Sequence, residues 1–136
     1  MAIGEKLWEG KGKTMSTAIN GTSPAGVEIK ATWVAQLKGM GMAKGMDGAL
    51  TFTLKSVLEP SGTGWAMGQG LLNFINGDMV VVKGSSRHKI EMGKAKSVGL
   101  LGFMSMNPKL AWMNTATALM TLEGDAAWTE FDVVVW

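Results

Sequence analysis

Histidine occurs once in this chain and cysteine not at all, so any chemistry has to be built from few groups. His88 lies in Arg87-His88-Lys89. Two flanking cations disfavour a third positive charge, which suits a base. Neither a multi-His metal site nor a thiol nucleophile can form, and no relay partner stands nearby in sequence. The ordinary reading of His88 is therefore an exposed residue in a polar turn or strand end. Glu130 and Asp132 stand two residues apart, about 6–7 Å along an extended strand. A carboxylate pair at that separation can divide its pKa values between an acid and a base. Phe131, Val133 and Val135 make the better core face, which turns both acids outward.

Lys83, Arg87, Lys89, Lys94 and Lys96 cluster with only Glu91 among them. A basic strip can contact phosphates, and interleaved aromatic residues would stack bases. No aromatic residue lies between Phe74 and Phe103, and the net charge is only +2. Solvated strand faces and a charged hairpin that blocks edge pairing account for the cluster, and no nucleic-acid partner is expected. Gly12-Lys13-Thr14 looks like the end of a phosphate loop, but the Gly required five positions before Gly12 is Leu7. Asn20-Gly21-Thr22 is a glycosylation sequon, meaningful only on a secretory route. Met1 to Gly10 carries Glu5, Lys6 and Glu9 and no apolar stretch, so it does not read as a secretory signal. A cytoplasmic location is the default expectation. Leu110 to Leu122, an uncharged run rich in Thr and Ala, is too short for a membrane-spanning helix. The terminal run Phe131–Trp136 suggests an outer-membrane strand, but Tyr is absent and alternation puts Lys and Thr outside. No membrane partner, cofactor or metal is expected.

The elements that must position these groups have a period of two. Ile29, Ala31, Trp33, Ala35 and Leu37 share one face, and Leu50, Phe52, Leu54 and Leu58 share another. In the last run Thr129, Phe131, Val133 and Val135 oppose Trp128, Glu130, Asp132, Val134 and Trp136. Apolar groups on both sides of that run suggest contact with a second copy. Asn76-Gly77 separates Leu71–Ile75 from Met79–Val82, a signal for a type I′ hairpin. Asn20-Gly21 to Pro24 reads as a loop. Strands are predicted at Lys6–Ala18, Val27–Lys38, Ala49–Leu58, Trp65–Phe74, Met79–Ser85, Gly93–Met106, Thr115–Glu123 and Ala126–Trp136. A helical turn is predicted at Asn107–Met113, with Asn107 as cap and Pro108 at its first position.

Eight sequential strands joined by short turns predict an all-β, eight-stranded antiparallel up-and-down barrel with one short helical turn, spanning 1–136 as a single domain. A two-layer sandwich is the alternative. The chain has 19 Gly, about twice the usual frequency, and Gly68, Gly70, Gly99 and Gly102 fall inside strands, where they allow barrel bends. It also has 12 Met. Met40, Met42 and Met46 stand in a Gly-rich segment and read either as core filling or as a flap over a barrel mouth.

From Trp65 onward the order of signals is distinctive. Gly68-Gln69-Gly70 is followed by Asn76-Gly77-Asp78, Phe103-Met104-Ser105, the run Asn107-Pro108-Lys109-Leu110-Ala111-Trp112-Met113-Asn114, and Glu123-Gly124-Asp125. This succession resembles the allene-oxide-cyclase-like (dirigent-like) β-barrel proteins, among them small uncharacterised bacterial and archaeal members. The likeness spans roughly the second half of the chain and implies a closed barrel. It carries over no catalytic residue by position.

An eight-stranded barrel has room for side chains or one small ligand. The expectation is a barrel that binds a small apolar or amphipathic molecule, with Trp33, Phe52, Leu54, Met104 and Phe131 as interior candidates. One alternative is an isomerase or lyase of the allene-oxide-cyclase kind, which needs shape and one or two polar groups. Asn73, Asn114 and Glu130 are the first such groups to consider. Another is a structural homo-oligomer without ligand.

Overall fold

A computed structural model describes residues 4–136. The reading of Met1–Gly10 as no secretory signal thus falls partly outside the described residues. Eight strands follow in order: β1 (Trp8–Ser23), β2 (Gly26–Gly39), β3 (Gly48–Leu58), β4 (Thr63–Phe74), β5 (Met79–Glu91), β6 (Lys94–Met104), β7 (Thr117–Asp125) and β8 (Glu130–Val135). Each pairs antiparallel with the next, and β1 pairs with β8 from Trp8 opposite Val135 to Lys13 opposite Glu130. This last pairing closes the sheet into the predicted barrel rather than the sandwich. No helix among the described residues is long and apolar enough to cross a membrane.

Alternation sorts the side chains. In β6, Ala95, Ser97, Gly99, Leu101 and Phe103 are buried while Lys94, Lys96, Val98, Leu100, Gly102 and Met104 are exposed. Met104 therefore points outward, contrary to the expectation that it faces the interior. Its neighbour Phe103 takes the inward position, and successive strand residues cannot share a face.

One end of the barrel is filled. Trp8 is wholly buried, 6.3 Å from the Phe74 ring and 6.0 Å from Phe103, and its Nε1 donates to the Met46 carbonyl at 2.9 Å. The connection between β2 and β3 closes this end, with Ala43 buried, Met46 packed against the core and Met42 exposed. The methionine segment is thus a cap on the packed end and not a flap over a mouth. The connection between β6 and β7 caps the same end. Asn107 accepts from the Lys109 amide and starts a 3₁₀ turn, Pro108–Leu110, that runs into α1 (Ala111–Asn114), as predicted. The Asn114 side chain accepts from the Ser105 amide at 2.7 Å and donates to its carbonyl at 3.0 Å. This pairing ends β6 at Met104, before the predicted Met106. Asn114→Ala leaves both backbone groups of the buried Ser105 without that partner. A loss of about 1–3 kcal/mol is expected, read from the midpoint of urea unfolding.

Several turns differ from expectation. The β1–β2 turn falls at Pro24–Ala25, so β1 runs through Asn20-Gly21. In the connection 75–78 only Gly77 has positive φ, so this hairpin is not type I′. The turn with two positive φ values is instead Met92-Gly93, at 53° and 78°, between the paired Glu91 and Lys94. Most strand glycines serve close approach. A Cβ on Gly12 would lie 2.5 Å from the Phe131 ring, and one on Gly68 would lie 2.9 Å from that of Phe52. Gly102 faces outward, and a Cβ added there would meet nothing within 4 Å, so close approach does not call for glycine at this position.

Candidate functional site

The opposite end of the barrel is not filled. Inward-facing residues there leave a cavity of about 220 Å³. Trp33 on β2 forms part of its lining; this indole stacks on Phe52 at 5.2 Å and meets Phe131 edge-on at 5.4 Å and 87°. Leu54 and Phe131 also line it, whereas Phe52 lies just beneath, against a small void of about 30 Å³ shared with Trp33 and Leu54. Four of the five expected interior residues thus come together in or under one space, and Met104 does not.

Three contributions were not anticipated. Trp128 was assigned by alternation to the face opposite Phe131. Its φ of 56° in the β7–β8 connection turns it to the same side, where its ring meets Phe131 edge-on at 5.7 Å. A bulky residue in the left-handed region costs of order 1–3 kcal/mol. The connection is held by Thr14 Oγ1 donating to the Trp128 carbonyl at 2.6 Å and by the Glu130 amide donating to Asp125 at 3.2 Å. That second contact holds the Asp125 carboxyl below its ordinary pKa.

The second contribution is His88, which lines the cavity and is not at the exposed position expected of it. β5 continues to Glu91, so Val80, Val82, Gly84, Ser86, His88 and Ile90 share the inward phase. Opposite His88 in register stands Gly64, where an added Cβ would lie 2.5 Å from the imidazole Nε2. The missing side chain leaves the space the ring occupies. The third contribution is a set of hydroxyls: Ser86 beside His88 on β5, Ser97 across from His88 on β6, and Ser56 beyond Ala66.

Burial holds the His88 pKa below 6.5; the Arg87 charge acts the same way, and Glu59 opposes both. The imidazole is therefore neutral at neutral pH. The unfolded chain takes up its proton near the ordinary value, before the folded one does. Stability from the neutral ring is thus fully present above pH 6.5 and is lost as pH falls through the lower folded pKa. His88→Gln is expected to lose less melting temperature than the unsubstituted chain between about pH 7 and about pH 5. Equal losses in the two thermal-melt series would contradict this.

Asn73, Asn114 and Glu130 all lie on the outer surface, away from the cavity. Asp132 also points outward and binds Lys11 at 2.6 Å, a contact that raises the exposed lysine's pKa. Lys83, Arg87, Lys89, Lys94 and Lys96 are all exposed, and Lys89 pairs with Glu91 at 3.2 Å. No cluster of three His, Asp or Glu among the described residues is placed to hold a metal ion. On the last strand Val134 and Trp136 are only half-exposed. One group of exposed apolar residues lies on the outer faces of β4 and β6, at Met67, Leu71, Leu100 and Met104.

Fold and cavity together define a small closed β-barrel with an open, aromatic-floored mouth. No family model matches the chain, and no curated protein matches it in sequence. Solved structures do. The barrel is similar to a protein of unknown function from Clostridium acetobutylicum ATCC 824, with a TM-score of 0.81, 9% identity, and coverage of 96% of this chain and 95% of that one. It is similar to a beta-barrel like protein from Acinetobacter baumannii AYE, with a TM-score of 0.78, 14% identity, and coverage of 96% and 92%. It is also similar to an enzyme from Penicillium herquei, with a TM-score of 0.71, 19% identity, and coverage of 96% and 91%. At these identities the likeness establishes the fold alone.

Proposed function

We propose that this barrel binds a small apolar or amphipathic molecule in the cavity at its open end. The supporting observation is the cavity itself, about 220 Å³ in volume, with Trp33, Phe131 and Trp128 in its wall. Drug-sized sites run from about 300 Å³ upward, so the reading favours a compact ligand. Trp33, Leu54 and Phe131 are the contacts we assign, with Phe52 supporting them from below. The reading puts the barrel in the cytoplasm, in keeping with a chain that has no Cys.

The test is native mass spectrometry of the purified protein together with thermal melts in the presence of small apolar probes such as naphthalene. A bound small molecule, or a melting temperature that rises with probe concentration, is the expected result. A ligand present at a hundred times its Kd stabilises by about 2.7 kcal/mol. No adduct and no shift with any probe would overturn the reading.

An isomerase or lyase of the allene-oxide-cyclase kind, with membership of those dirigent-like barrels, is the second reading. It draws on the neutral His88 in the cavity wall and on the likeness to a Penicillium herquei protein described as an enzyme. Self-association is a separate reading, favoured by the exposed Met67, Leu71, Leu100 and Met104. A monomer by light scattering at high concentration would remove it.

A further inference from the structure

The cavity wall is chemically divided. Ser86 and His88 on β5 and Ser97 on β6 form one polar corner, since Ser97 stands opposite His88 in register. Most of the remaining wall is apolar, including Ile29, Leu54, Trp33, Phe131 and Trp128. Among the described residues no Lys, Arg, Asp or Glu lines the cavity. An ion entering it would lose hydration without meeting a counter-charge, at a cost of several kcal/mol. A wholly apolar ligand would strip water from the corner and offer nothing in return.

The corner has capacity to spare. Among the described residues no protein group hydrogen-bonds to the His88 imidazole, and its ring is held in place by packing over Gly64. A neutral imidazole offers one donor and one acceptor, and each serine hydroxyl can do either. A ligand hydroxyl matches this set. The edge-on rings of Trp33 and Phe131, and of Trp128 and Phe131, offer surfaces suited to a flat ring.

We infer that His88, with Ser86 and Ser97, is a polar anchor that selects an uncharged, ring-containing ligand bearing a hydroxyl group. The inference rests on the cavity being a ligand site, as proposed above. The charged groups acting on His88 are Arg87, which faces outward on the same strand, and Glu59 from the β3–β4 connection. The facing positions on β4 and β6 are the uncharged Gly64 and Ser97. At pH values low enough to protonate His88 the imidazole loses its acceptor, leaving acceptors only on the serines, and hydroxyl preference declines.

Isothermal titration of the intact protein with 2-naphthol, naphthalene and 2-naphthoate at about pH 7.5 tests this. Naphthol is expected to bind roughly tenfold more tightly than naphthalene, the effect of about one net hydrogen bond. Naphthoate is expected to bind about a hundredfold more weakly than naphthol. In His88→Leu the preference for naphthol over naphthalene should vanish while naphthalene still binds. Equal affinity for naphthol and naphthalene in the unsubstituted protein overturns the anchor and leaves the cavity reading standing. So does a preference that survives His88→Leu. Tight naphthoate binding overturns the selection for uncharged ligands. Failure of all three compounds to bind removes the anchor and the cavity reading together. The comparison of ligands on the unsubstituted protein does not depend on any variant folding.

Discussion

Trp8→Ala is expected to destabilise the barrel by about 3–5 kcal/mol, a large part of the 5–15 kcal/mol typical of a small domain. Three effects act in the same direction. The indole is wholly buried, so its removal leaves a void among Phe74, Phe103 and the strands around them. Its Nε1 is the donor to the Met46 carbonyl, which would be left without that partner. Trp8 is also the first residue of β1 and stands opposite Val135, so the void opens at the seam that closes the barrel. Trp8→Phe keeps a ring in the space but not the donor, and about 1–3 kcal/mol is expected for it. Urea unfolding of both variants provides the measurement. Similar midpoints for the two would mean that packing contributes little at this end.

The second large effect is on binding. Ala31 lines the cavity between Thr17 on β1 and Leu54 on β3, its direct partners in register. Ala31→Phe would direct a benzyl group into the empty space. Probe affinity is expected to fall by at least about a hundredfold, since a filled cavity offers no dry surface to a ligand. Stability should change little, because overpacking costs about 1–3 kcal/mol only where space is already filled, and the added ring gains burial. Titration with naphthalene and a thermal melt together decide the matter. Undiminished affinity in a well-folded Ala31→Phe protein would mean that the probe binds elsewhere.

How much of this was legible in the sequence depends on where the backbone kept its period. Within β2 every second residue is apolar, and in β3 the alternation is interrupted only at Ser56, so the inward sets containing Trp33, Phe52 and Leu54 are legible. In β5 the reading stopped at Ser85 because the residues beyond it are polar and charged. The strand runs on to Glu91, and the same phase carries Ser86 and His88 inward. The signal that could have found His88 was continuation of the Val80–Val82 phase through four polar positions. A cavity lined partly by polar groups weakens the apolar alternation that marks an inward face. Trp128 was missed for another reason. Its positive φ breaks the period, and nothing in Ala126-Ala127-Trp128 identifies the left-handed residue as the tryptophan. The two-residue turn at Met92-Gly93 was missed because Met is not a residue that favours positive φ, whereas Asn76-Gly77 suggested such a turn and does not form it.

By itself the sequence determined the class of fold, the order of the strands and most of their inward faces. Those follow from local rules: alternation of neighbouring side chains and the backbone preferences of turn residues. Closure was decided by the tertiary structure, because β1 and β8 meet from opposite ends of the chain. The cavity was decided there too. Its volume is what remains after residues from all eight strands are packed, with large rings filling one end and Ala, Ser and Gly leaving room at the other. The scarcity of His and Cys pointed from the outset to limited chemistry. It is the barrel that brings the one histidine, three serines and three aromatic rings around a single space.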